Sequence, residues 1–171
     1  SVAVGQSTAG GDSGVAIGNG SNTGTGDNDT AIGTGNTIAD DLDNNTAIGS
    51  NINITGGDDN TVLGVGHAVD GAGNSVLGDP DEVVGSNNQV TGDSNFVSGS
   101  SNQVVGTNNG DTGATPGVIE GDETAGVFGD FNSILGSQNS IGTGTQSAKL
   151  TTGNDNQVIG NGNSVTDSAD T

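Results

Sequence analysis

Side chains able to do chemistry are scarce in this chain. There is one histidine, His67, no cysteine, and 21 acidic residues against a single basic one, Lys149. A nucleophilic triad needs a hydroxyl, a base and an orienting carboxylate brought together. His67 occupies a position that Asn60 and Asn74 hold elsewhere, so it reads as a turn residue and no triad is expected. A transition-metal site needs further imidazole or thiolate ligands, and the sequence has none to add. The carboxylates raise calcium, whose preferred ligands are carboxylate and turn-carbonyl oxygens. They gather in short segments, Asp40, Asp41 and Asp43 in one and Asp58 and Asp59 in another. Calcium-binding nonapeptide repeats read G-G-x-G-x-D, however, and neither Gly10-Gly11 nor Gly56-Gly57 continues that way. Glycine-rich turns can also cradle phosphate, but these lack the following helix and lysine of a phosphate loop. The expectation is solvated charge, with no metal, no cofactor and no enzymatic activity.

What places these residues is a repeat. From Asn74 to Gly106 a seven-residue unit N-x-V-x-G-x-x runs without a slip: Val76, Val83, Val90, Val97 and Val104 share one register, Gly78, Gly85, Gly92, Gly99 and Gly106 another. Repeats of fixed period decide architecture before other signals do. A heptad suggests a coiled coil, yet a glycine in every unit costs a helix about 1 kcal/mol each time. The unit fits a short strand, whose apolar residue faces one side and its neighbours the other, followed by a glycine corner. One such strand is too short to stand alone, so the units must stack as a parallel solenoid. This overrides the disorder that 34 glycines, three phenylalanines and a net charge of −20 would otherwise suggest.

The residue after each core position alternates in character. One series reads Val4, Ile17, Ile32, Ile48, Leu63, Leu77, Thr91, Val105, Phe128, Gly142 and Ile159; the other reads Ala9, Thr23, Ala39, Thr55, Asp70, Val84, Ser98, Glu120, Leu135, Thr152 and Thr166. The first is mainly branched apolar, the second mainly small or polar. A coil is therefore two units, about 14 residues, and the first series makes an apolar stripe along one side. A stripe of that length marks an interface, to be covered by copies of the same chain about an axis parallel to the rod. Its predicted members are Val4, Ile17, Ile32, Ile48, Leu63, Leu77, Val105, Phe128 and Ile159.

The chain reads as one domain over residues 1–171. Alanine fills the core register near the start, so that end should be thinner. Two excursions leave the repeat, at about 107–124, where a second-type strand fits Val118-Ile119-Glu120-Gly121, and at about 143–153. The pattern stops in mid-repeat, as expected of a fragment of something longer. The acidic surface should repel nucleic acid and anionic lipid, which sets those partners aside. No apolar run of membrane-spanning length occurs, so no direct membrane contact is expected from this segment.

The strings Ser1-Val2-Ala3-Val4-Gly5, Gly14-Val15-Ala16-Ile17-Gly18 and Asn74-Ser75-Val76-Leu77-Gly78 resemble the N-S-V-A-I-G repeats of YadA-like head domains in trimeric autotransporter adhesins. The resemblance covers nearly the whole chain apart from the two excursions. It implies an all-β, left-handed parallel β-roll assembled as a parallel homotrimer. It further implies display on a bacterial cell surface, anchored in the outer membrane through parts outside this segment. Adhesion to extracellular matrix proteins such as collagen or fibronectin, or to an abiotic surface, would follow. Two apolar residues on the polar face, Val84 and Phe96, form a possible ligand patch beside the alternative of contact with the neighbouring subunit. The rival functions are a passive spacer of a surface fibre and an ice-binding solenoid using Thr23, Thr55, Thr152 and Thr166, a ladder that Asp70, Val84 and Glu120 interrupt. A polysaccharide-active β-helix enzyme would need more aromatics than three.

Overall fold

The computed structural model describes residues 1–109, 127–128, 130–141, 143–145, 148–151 and 155–165. It is an all-β parallel solenoid. One face stacks ten strands in parallel: Val2–Thr8, Val15–Asn22, Thr30–Thr34, Thr46–Ser50, Thr61–Val65, Ser75–Gly78, Gln89–Asp93, Gln103–Thr107, Ser133–Leu135 and Gln157–Ile159. The second face stacks Thr37–Ile38, Asn53–Gly56, Ala68–Asp70, Glu82–Val84, Phe96–Ser98, Val127–Phe128, Ser140–Ile141 and Ser164–Val165. At about 4.8 Å per strand the ten-strand face is roughly 45 Å long. The strand Val15–Asn22 runs over a corner and pairs on both faces, so the two form one continuous sheet.

The coil is not uniform. Hydrogen bonds join equivalent residues 16 apart from Asp29 to Asn45, 15 apart from Asn45 to Asn60, 14 apart at each step from Asn60 to Asn102, then 30 apart to Asn132 and 24 to Asn156. The first coil, from Val2 to Val15, is the shortest, and the next three are longer because their acidic corners carry additional residues. Extra length at a corner leaves strand pairing unchanged, and the registers stay in step through it.

Ala3 on the first strand is exposed at the end of the stack, and the strands that follow each send a side chain inward. From the first face these are Ala31, Ala47, Val62, Val76, Val90, Val104, Ile134 and Val158; from the second, Ile38, Ile54, Val69, Val83, Val97, Val127 and Ile141, all in one buried cluster. The alanine end is not left hollow. Where the first face offers only Ala31 and Ala47, isoleucines at 38, 52 and 54 fill the same cluster, while valine meets valine further along. Large opposite small keeps the interior at close-packed density.

The strand ends where glycine stacks on glycine. Gly78 has φ 140°, and a Cβ there would run into the carbonyl oxygen of Gly92 on the next coil. The chain can therefore turn at this column only without a side chain.

Most of the predicted excursion at 107–124, including the strand placed at Val118-Ile119-Glu120-Gly121, lies outside the described residues. The second excursion contains an antiparallel pair, Thr143–Thr145 with Ala148–Thr151, set apart from the parallel stack.

Candidate interaction surface

Strand pairing on the first face lines up one residue per coil, just past the inward position. The column runs Val4, Ile17, Ile32, Ile48, Leu63, Leu77, Thr91, Val105, Leu135 and Ile159, each the register partner of the next. In the single chain these side chains reach solvent: Leu77 is 51% exposed, Leu135 55% and Ile159 69%, while Ile32 and Leu63 are half-buried. Beside this column stands a polar one, with Thr30, Thr46, Thr61, Ser75, Gln89 and Gln103 in register. Gln103 Nε2 donates to Gln89 Oε1 at 2.9 Å. From the third rung on, the face thus presents a greasy ridge with a hydroxyl and amide border, while the first two rungs carry Val2 and Val15 at the bordering position.

Two stripe assignments made from sequence are corrected. Phe128 pairs with Ser98 on the second face and is only 2% exposed, so it does not belong to the stripe. Leu135, placed on the polar face from sequence, is the register partner of Val105 and does belong to it. The alternation shifts by one unit if a rung is counted between Val105 and Phe128, whereas Val97 pairs directly with Val127 and Val104 with Ile134. Ser133-Ile134-Leu135-Gly136 does repeat Ser75-Val76-Leu77-Gly78 with one change, a hint of first-face membership that does not by itself count the coils across the insertion.

The patch predicted at Val84 and Phe96 also changes character. Phe96 lies outside the inner core cluster yet is fully buried, its ring 5.4 Å from that of Phe128 at a 60° tilt. Tilted rings at that separation attract each other beyond simple burial. Phe96 therefore offers nothing to a partner, and Val84, whose register partner on that coil is Ser98, is half-buried. Of the threonines proposed as a ladder, Thr23 is buried, with its hydroxyl accepting from the amide of Gly10. Because Asn22 pairs with Thr37, Thr23 falls in step with inward Ile38. Thr55 is exposed and donates its hydroxyl to Val69 O, and Thr152 and Thr166 lie outside the described residues.

The corners are held by buried polar ladders. On one, Asn45, Asn60, Asn74, Asn88 and Asn102 follow one another, each accepting through Oδ1 the backbone N–H of the next. The amide groups of Asn74 and Asn88 also donate to carbonyls of the following corner, Gly85 and Gly99, at 2.8 and 2.9 Å. Buried polar groups that are fully paired in this way specify a unique register.

His67 belongs to the ladder on the other corner. Its Nε2–H donates to Gly78 O at 2.8 Å and Leu63 O at 3.2 Å, and Nδ1 accepts the amide of Asp81 at 3.1 Å. The ring thus copies an asparagine: one donor to a carbonyl eleven residues on, one acceptor for an amide fourteen on. Asp81 Oδ2 stands 3.6 Å from Nδ1, but the lone pair of that nitrogen already takes the Asp81 amide proton, so the ring is held neutral. Burial accordingly pushes its pKa below the usual 6.5, against the opposing pull of the Gly78 and Leu63 carbonyls.

Asp29 heads the first ladder, where asparagine follows in later coils. Its Oδ1 accepts the amide of Asn45 at 2.7 Å, while Oδ2 is buried without a hydrogen-bond partner. Burial raises its pKa above 3.8, with Asp43 and Asp58 adding to the rise and the bonds from Asn45 opposing it. The neighbouring carboxylates are tied into the backbone of the coil before them: Asp27 accepts from the amide of Asp12, Asp43 from Asp27, and Asp58 from Asp43. Among the described residues no three histidine or carboxylate groups converge on one point. No family model, curated protein or solved structure matches the chain.

Proposed function

We propose that the chain is the head of a cell-surface adhesin, a left-handed β-roll whose copies assemble in parallel as a homotrimer along the apolar stripe. The observation that supports it is the stripe itself, nine aliphatic side chains and one threonine in unbroken register on one face. Soluble chains rarely leave such a surface uncovered, and contact between identical copies about a symmetry axis is the commonest solution. A rod with the stripe buried would present the second face and corners that are mostly polar, with Val65 and Phe131 as exposed apolar exceptions. Three chains would then carry three times the −20 charge of one, a surface that resists non-specific association. Binding to collagen, fibronectin or an abiotic surface would come from many weak contacts repeated around and along the rod, which together suffice for firm attachment. The tethering region and outer-membrane location belong to the same proposal.

Light scattering of the purified chain tests the assembly: the expected mass is three times 16.3 kDa. Beads coated with that assembly are then offered collagen, fibronectin and bare plastic. Retention on at least one supports adhesion; failure on all three with the mass intact leaves a spacer.

A further inference from the structure

We infer that Thr91 is a register key, which makes the chains associate in parallel and at equal height. The inference rests on the self-association proposed above. Thr91 is the one polar member of the stripe, between Leu77 and Val105, its register partners on the coils before and after. At the same rung the bordering position is also polar, Gln89, whereas the rungs of Leu77 and Val105 are apolar in the stripe. The face therefore has one level that is polar across its width.

A hydroxyl carries one donor and can accept as well. Three Thr91 hydroxyls at one height around a three-fold axis can each donate to the next and close a ring. Sliding one chain by a single coil sets Thr91 against Leu77 or Val105 of a neighbour. The hydroxyl then loses its partner inside an apolar seam, a penalty that polar groups in coiled-coil seams also use to fix register.

The position of Thr91 also selects direction. It is the seventh of ten rungs, so an antiparallel pair aligned over all ten would set it against Ile48, the fourth. An antiparallel pair centred on Thr91 would leave Val4, Ile17 and Ile32 opposite no described rung. Parallel alignment at equal height alone matches hydroxyl with hydroxyl and covers every aliphatic residue.

The test uses the absence of native cysteine. Two differently tagged chains are prepared, one with Ser75→Cys and one with Gln89→Cys, which lie one coil apart beside the stripe. They are mixed, co-refolded and oxidised, in the native background and with Thr91→Val, which removes the hydroxyl while keeping the shape. In the native background each introduced thiol joins its own kind, and the mixed disulfide between the two differently tagged chains is minor. In Thr91→Val the assembly persists and the mixed product rises about tenfold, the shift corresponding to about 1.4 kcal/mol. An assembled native chain giving as much mixed product as the variant overturns the register key and leaves self-association standing. A monomeric native chain by light scattering overturns both.

Discussion

Replacing Leu77 with aspartate should dissolve the assembly without unfolding the roll. Leu77 is 51% exposed in the single chain and its backbone neighbour Val76 is the residue that enters the core. Fully burying a leucine stabilises by about 1.5–3 kcal/mol, so covering the exposed half contributes roughly 1 kcal/mol per chain and roughly 3 for three. The variant loses that and also brings three carboxylates to one level of the seam, where removing each from water costs several kcal/mol. A total penalty of more than about 6 kcal/mol lowers the association constant by more than about four decades. At micromolar concentration Leu77→Asp should therefore scatter as a single chain while its far-UV circular dichroism keeps the β signature. Thr55→Asp, an equal charge added at an exposed position of the second face, should leave the mass unchanged. Two results would refute the reasoning: an undiminished assembly mass for Leu77→Asp, or loss of the β signature, which would make the stripe part of the fold and not of an interface.

Asn88→Leu removes the acceptor for the Asn102 amide and the donor to Gly99 O, both inside the corner. At about 1–3 kcal/mol per stranded group the cost is roughly 2–6 kcal/mol; denaturant melts showing less than about 1 kcal/mol would mean that water replaces the ladder. His67→Asn should keep the ladder while removing a pH dependence. Because the folded pKa of His67 lies below 6.5, its contribution is intact above that value and is lost as pH falls from 6.5 through the depressed folded pKa. Melting temperature in the native chain should fall over that window and stay flatter in the variant. Asp29 has the opposite sign. Its folded pKa is raised above 3.8, so its contribution is present below 3.8 and lost as pH rises through the folded value. Asp29→Asn, which mimics the protonated group, should raise the melting temperature near neutrality, with the gain shrinking towards pH 3.8; an equal gain at both ends would rule out titration as its source.

The repeat unit, the strand-plus-corner reading and the two-unit coil were legible because each depends on neighbours in sequence. A glycine every seventh residue excludes a helix, and alternation along a strand puts Val76 inside and Leu77 outside whatever the rest of the chain does. The stripe followed, apart from Phe128 and Leu135. Those two lie beyond the excursion, where the question is which face a strand joins, and local pattern cannot count coils through an insertion. Backbone bonds settle it: Gln103 donates to Asn132 O and Gly136 to Val105 O across that gap. Phe96 illustrates a second limit: alternation sets it outside the core cluster, yet it is fully buried, with the ring of Phe128 from the next coil brought against it.

Sequence by itself determined the periodicity, the inward and outward residues of each regular strand, and the scarcity of catalytic and transition-metal ligands, all of them short-range or compositional properties. Tertiary structure alone decided that Leu135 stands above Val105, that Phe96 and Phe128 meet, and that a histidine serves as an asparagine in a buried ladder. Each of these depends on which coil lands on which, and that is fixed by hydrogen bonds between residues 14 to 30 positions apart.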